Sequence, residues 1–175
     1  MVKISVITTV KDDKKLFDLL KALEQQSFKD FEVIVADASQ NKLLKNNPKL
    51  NLKYFHVPNM RIADAFIFMS NKASANLIAI TESDCIPSRD WLKDLLSEYD
   101  NSKTIVVGPQ TFPQPPHMTT PRTYGNFLLH KNAFKIKHDT SLTIADDTDW
   151  FMALEENGFK PKFIINKALV QHNKI

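Results

Sequence analysis

Short runs of β-branched and aliphatic residues, separated by segments of helical periodicity, restrict this chain more than any other feature. Residues 4–9, 31–36, 77–81 and 104–107 are each apolar enough to read as buried strands, and residues 52–57 form a weaker one. Between them, Leu16, Leu19, Leu20 and Leu23 give a single apolar face to a helix over residues 13–26, and a second helix covers residues 62–73. A third carries Trp91, Leu92, Leu95, Leu96 and Tyr99 as its buried stripe, with Ser88 placed to cap it. Strands alternating with helices at this spacing predict an α/β domain, a mainly parallel central sheet flanked by helices on both faces. Beyond Gly108 the texture changes. Pro109, Pro113, Pro115, Pro116 and Pro121 favour an extended loop over residues 109–121. A helix then covers residues 147–157, with Trp150, Phe151 and Leu154 inward and Gly158 as its stop, and closing strands fall at 163–165 and 168–171. Neither an internal repeat nor a second domain is evident, so residues 1–175 read as one domain.

Glycine supplies the sharpest exclusion. Only Gly108, Gly125 and Gly158 occur, so neither a Walker loop nor a dinucleotide fingerprint can be built. If the chain binds a phosphorylated ligand, side chains or a metal must carry the phosphate charge. A net charge of +3 suits an anionic ligand but lacks the concentrated basic surface of a nucleic-acid binder. The sole cysteine, Cys85, excludes a disulfide framework and a cysteine-based zinc cluster, and fits a reducing compartment. No stretch approaches the roughly 20 apolar residues of a membrane span, and the first residues already read as strand rather than signal peptide. The expectation is a cytoplasmic protein.

In open α/β sheets, ligands gather outside the carboxyl ends of the strands. The polar residues ending the predicted strands are Thr9, Asp37 and the triplet Glu82-Ser83-Asp84. Any one of them taken singly also reads as a turn residue; their recurrence at successive strand ends favours a site. Glu82 and Asp84 are two apart, so both can face one side while strand geometry persists. Paired carboxylates there suit Mn2+ or Mg2+, which can neutralise a diphosphate.

Taken in order, these segments resemble the family 2 glycosyltransferases of the inverting GT-A fold. The resemblance runs through Ile4-Ser5-Val6-Ile7-Thr8-Thr9, Gln26-Ser27-Phe28, Phe31-Glu32-Val33-Ile34-Val35-Ala36-Asp37 and Arg61. Glu82-Ser83-Asp84-Cys85 stands where the family has its DXD motif, Asp146-Asp147-Thr148-Asp149-Trp150 is similar to its acidic "ED" segment, and the likeness ends near His172. It implies that Thr9 and Asp37 hold the base and ribose, with Asp37 accepting a base N–H, and that Arg61 lies near the base or diphosphate. Asp84 becomes the principal metal ligand, Glu82 touches ribose or metal, and His172 completes the metal or diphosphate site. Asp147 becomes the general base, with Asp146 beside it as the alternative, whereas Asp149 has only a helix-start role. All three acids also suit a helix N-terminus, and Arg61 also reads as a solvated charge at a helix start. The family's aromatic and Asn after the first strand are replaced by Val10 and Lys11, which weakens base stacking or turns Lys11 to the phosphates.

The implied reaction moves a sugar from a UDP- or GDP-sugar to an acceptor hydroxyl with inversion, residues 1–108 forming the nucleotide-sugar half and 109–175 the acceptor and catalytic half. A glycan, a lipid-linked molecule or a protein can serve as acceptor, and a homo-oligomer is compatible. Residues 130–138 mix cations with Phe134 and Ile136, so they read either as a peripheral contact with the inner membrane face or as a solvated basic surface. Two rivals stand beside this reading: a sugar nucleotidyltransferase, whose glycine-rich phosphate loop is missing, and a degenerate nucleotide-sugar-binding module without turnover.

Overall fold

The structure, a computed structural model, describes residues 2–44, 49–113, 116–119, 125–136 and 146–172. The chain opens with β1 (Ile4–Val10), α1 (Leu16–Glu24), β2 (Phe31–Asp37), β3 (Leu52–His56), α2 (Ile62–Lys72) and β4 (Leu77–Ile80). It continues through β5 (Cys85–Pro87), α3 (Trp91–Ser97), β6 (Thr104–Val107), β7 (Gln110–Pro113) and β8 (Pro116–Thr119). The last elements are β9 (Phe127–His130), a short 3-10 helix at Lys131–Lys135, α4 (Asp146–Glu156), β10 (Lys160–Phe163) and β11 (Val170–His172).

A seven-stranded sheet runs β10-β6-β9-β4-β1-β2-β3, with β9 antiparallel to both its neighbours and every other pairing parallel. The α1 leucines and Trp91, Leu92 and Leu95 of α3 pack on one face with Val6, Val33 and Val106. On the other face Phe66 and Met69 of α2 join Trp150, Phe151 and Leu154 of α4 over Ile7, Ile34 and Ile80. A buried leucine of this kind contributes roughly 1.5–3 kcal/mol, so the four on α1 anchor that helix despite its short length. Gly158, at φ +80, closes α4: its N–H reaches Glu155 O while that of Phe159 reaches Leu154 O, the paired bonds of a Schellman end.

A second sheet, β5-β11-β7-β8, lies beyond the large one. Its β7–β8 hairpin corrects the loop expected over the proline-rich segment. A proline's fixed φ suits extended backbone, and Pro113 and Pro116 pair at the hairpin tip, beside the sheet edge. The closing strands also shift. Ala168 adopts φ +55, which breaks extended geometry, so β11 starts at Val170 rather than at 168. The other forms earlier in the chain, as the edge strand β10, and keeps only Phe163 of the expected run.

Ser88 does not cap α3. Asp90 occupies that position without a capping bond, and Gln26 reaches over from the end of α1 instead. Its Oε1 accepts from Leu92 N at 3.2 Å and its Nε2 donates to Ser88 O at 2.7 Å. Asn126 plays the same part between the sheets: its Oδ1 accepts from Trp91 Nε1 (2.7 Å), and its Nδ2 donates to Pro109 O (2.9 Å) and Ala168 O (2.8 Å). Gly108 permits this approach, since a Cβ there would sit 2.3 Å from Asn126 Nδ2.

Candidate functional site

Strand β1 pairs with β2 on one side and with β4 on the other, so the connections diverge there and open a crevice at the carboxyl ends. The crevice has a polar wall of Thr9, Lys11, Glu82 and Asp84, and an apolar one of Val10, Met60, Ile62 and Ala65. Two rim residues, Asp12 and Asn59, hold positive φ angles of 53 and 64, a conformation that Asp and Asn tolerate. Asp12 N donates to Ser39 Oγ at 2.7 Å, and Gln40 Nε2 donates to Asn59 Oδ1 at 2.7 Å, tying both turns to the segment after β2.

Asp37 stands behind this crevice rather than in it. It is fully buried, and its Oδ1 accepts from Ser39 N at 3.0 Å while Oδ2 accepts from Leu43 N at 2.9 Å and from the Tyr54 hydroxyl. Burial pushes its pKa up, but the donors from Leu43, Ser39 and Tyr54 outweigh that and hold the carboxyl below its ordinary value. Burial and the Asp37 bond push Tyr54 to about 12, so its phenol stays a donor. Both carboxylate oxygens are thus engaged with the segment after β2 and with β3. The residue folds the 38–44 segment that backs the crevice.

Beyond β4, the chain turns through Glu82, Ser83 and Asp84 into β5. Strand β11 pairs antiparallel with β5 so that His172 lies opposite Cys85, which points both side chains to one face. His172 Nε2 consequently comes within 3.3 Å of Glu82 Oε2 and 3.7 Å of Asp84 Oδ1. Cys85 Sγ lies 4.0 Å from both carboxylates, and one donor atom from each of the four residues falls within 4.8 Å of all the others. The imidazole is buried, with its Nδ1 lacking a hydrogen-bond partner among the described residues. Phe112 of β7 stacks on its ring, centroids 4.9 Å apart. Burial, reinforced by the charges of Glu82 and Asp84, pushes the Cys85 thiol far up, so it carries its proton in this state.

The structure thus brings Thr9, Glu82, Asp84 and His172 to one end of the sheet, with His172 close to both carboxylates. Arg61 is the N-terminal flank of α2, beside the crevice residues Met60 and Ile62, with Nε 3.7 Å from Asp64 Oδ2. Asp146 and Asp147 begin α4. Asp147 Oδ1 accepts from Thr148 N at 2.8 Å, and the helix is anchored by Trp150, whose ring centroid lies 4.9 Å from that of Phe134. In the segment 130–138, read as a membrane contact or a solvated basic surface, that contact turns Phe134 toward the core. Phe134 and Ile136 pack inward against the core, while residues 137 and 138 lie outside those described. Among the described residues no helix is long and apolar enough to cross a membrane. Sequence reasoning missed Cys85 and Phe112 as neighbours of the cluster. Only the pairing of a three-residue strand with another from the far end of the chain brings them there.

A family model described as "Glycosyl transferase family 2" matches residues 5–160. No curated protein sequence matches. Among solved structures, the fold is similar to S. aureus TarS, with TM-score 0.82 at 20% identity over 98% of this chain and 37% of that one. It is also similar to the TarS 1–349 complexes with UDP (TM-score 0.81, 20% identity, 97% and 60% covered) and with UDP-GlcNAc (0.81, 19%, 97% and 58%). The chain therefore spans less than two thirds of each of these structures.

Proposed function

The chain belongs to glycosyl transferase family 2, and from that premise we propose that it transfers a sugar from a nucleoside diphosphate sugar to an acceptor hydroxyl, with inversion and with the help of Mn2+ or Mg2+. The observation that carries this reading is the meeting of Glu82, Asp84 and His172 at the edge of the crevice lined by Thr9 and Lys11. Two carboxylate oxygens and an imidazole nitrogen fit a divalent cation, and a buried imidazole nitrogen aimed between two carboxylates is an arrangement a cation stabilises. When bound there, the cation supplies positive charge to the departing diphosphate. Membership in the family favours sugar transfer over nucleotidyl transfer. The UDP and UDP-GlcNAc complexes of the TarS neighbours make a uridine diphosphate sugar the first donor to test, ahead of a GDP-sugar.

In this reading residues 1–108 hold the donor. The base rests on the apolar wall, Thr9 contacts the ribose, and Lys11 and Arg61 face the diphosphate. Asp37 acts through the 38–44 segment it folds. Residues 109–175 supply the acceptor side, where Asp147 takes the proton of the attacking hydroxyl. As that oxygen bonds to the anomeric carbon, the bond to the diphosphate breaks and its electron pair leaves with the phosphate oxygen. Asp146 is the alternative base. The reading is tested by thermal shift with UDP- and GDP-sugars, with and without Mn2+ or Mg2+. A saturating ligand at 100 times its Kd stabilises by about 2.7 kcal/mol. Asp84→Asn is expected to abolish the metal-dependent part of that stabilisation while the apo protein melts as before; an unchanged metal requirement removes Asp84 from the site.

A further inference from the structure

We infer that this site is dual in its metal chemistry: Cys85 makes it a closed, four-donor trap for thiophilic divalent ions such as Zn2+ or Cd2+, which block the sugar-nucleotide site. The inference rests on the proposed metal role of Glu82, Asp84 and His172 and adds a fourth donor to it. The β5–β11 register sets Cys85 directly opposite His172, so sulfur and imidazole share one face by construction of the sheet. In a tetrahedral site with bonds of about 2.0–2.3 Å, donors stand about 3.3–3.8 Å apart. The observed separations of 3.3 and 3.7 Å from His172 Nε2, and 4.0 Å from Cys85 Sγ to each carboxylate, are near that spacing before any ion has drawn the donors together. The second indication is His172 itself: 2% exposed, its Nδ1 without a partner among the described residues, its Nε2 aimed into the cluster and its ring plane fixed by Phe112.

Ion softness decides which donors are used. Mg2+ and Mn2+ prefer oxygen and six ligands, so they take the carboxylates and leave positions for diphosphate oxygens. A thiophilic ion recruits the sulfur as well: the S–H bond breaks, a sulfur–metal bond forms and the proton passes to solvent. With all four tetrahedral positions then filled by protein, none remains for the donor's diphosphate. This is the difference between closed and open metal sites.

Because Cys85 is the only cysteine in the chain, wild-type protein reports the bond without any variant. Metal-free protein is titrated with Co2+ and separately with Cd2+, following the thiolate-to-metal charge-transfer absorption, while Mn2+-dependent UDP binding is measured by calorimetry on the same batch. The expected result is one charge-transfer chromophore per chain, independent of protein concentration, and loss of UDP binding when Zn2+ or Cd2+ is added. Cys85→Ser should lose the band and weaken Cd2+ binding by at least about tenfold, since even outer-shell changes cost that much. If this variant fails to fold, the wild-type band still decides. Mn2+-dependent UDP binding without a charge-transfer band overturns the role of Cys85 and leaves the metal reading standing. Absence of both overturns the metal site as well.

Discussion

Removing the side chain of Asn126 should cost this fold several kcal/mol, although the residue lies outside the crevice. Three bonds disappear in Asn126→Ala, but their consequences differ. Pro109 O keeps a partner, because Val170 N also donates to it at 3.1 Å. Trp91 Nε1 and Ala168 O are left buried without the bonds that Asn126 gave them. Each such orphan costs about 1–3 kcal/mol, giving about 2–6 kcal/mol in all, a large part of the roughly 5–15 kcal/mol that holds a domain folded. The same geometry predicts a coupling. Gly108→Ala alone drives a Cβ into Asn126, whose three side-chain atoms are the near contacts, at 2.3, 2.7 and 2.7 Å. In an Asn126→Ala background that obstacle is gone, so Gly108→Ala should then cost little. Urea unfolding followed by far-ultraviolet circular dichroism measures all four forms of the cycle, and a coupling of about 1–3 kcal/mol is expected. A loss below about 1 kcal/mol for Asn126→Ala, or additive costs in the double variant, refutes the argument.

Asp147→Asn keeps the shape of the first turn of α4 but cannot accept a proton; turnover should fall roughly 10²- to 10⁴-fold while donor affinity stays constant. If Asp146→Asn falls instead, the base is one residue earlier, and full activity in both variants removes α4 from the chemistry. Acid should destabilise the fold through Glu32 and Asp37. Burial pushes Glu32 up, but bonds from Lys53, Ser5 and Ser74 hold it below its ordinary value of 4.5, and Asp37 lies below its ordinary 3.8. A carboxyl depressed in the folded state contributes stability that is complete above its unfolded pKa and is lost as pH falls through the folded one. Urea midpoints should therefore be level above about pH 5 and drop steadily below about pH 4.5. Glu32→Gln should flatten that decline, and an equally steep decline in the variant removes Glu32 as a cause.

The parallel core was legible because its strands are buried on both faces and therefore read as continuous apolar runs. Helix α4 and its stop were equally plain, since Trp150, Phe151 and Leu154 keep helical spacing up to Gly158. What escaped were several elements and contacts decided by partners far along the chain. Strand β9 is a run of only four residues, Phe127–His130, that becomes a strand by inserting between β4 and β6. Proline content hid the β7–β8 hairpin, and β5 is too short to carry a pattern at all. Asp37 illustrates a subtler limit. Its position at the end of β2 was readable, but Tyr54 and Leu43, which occupy its oxygens, lie 17 and 6 residues away, and no local signal announces them.

The scarcity of glycine and the second sheet are connected. A glycine-rich loop satisfies phosphate with backbone N–H groups from one contiguous turn. This chain instead gathers side chains from the end of β4 and from β11, and that assembly depends on where the small sheet sits. Its position is set by Asn126, which bridges α3, the exit of β6 and the approach to β11, and by Asp94 Oδ2, which accepts from Ala168 N at 3.1 Å. The bonds of residues 126 and 94 go to Trp91, Pro109 and Ala168 rather than to Glu82 or His172. They nevertheless hold Ala168, just ahead of β11, so on the proposed metal role loosening them should weaken metal affinity before it alters the apolar wall of the crevice. Two of the three glycines fit the same logic: Gly108 admits Asn126, and Gly125, where a Cβ would lie 1.4 Å from Gln110 Nε2, admits the strand that stands beside β11. They serve the junction that carries the proposed metal ligands rather than a bound phosphate.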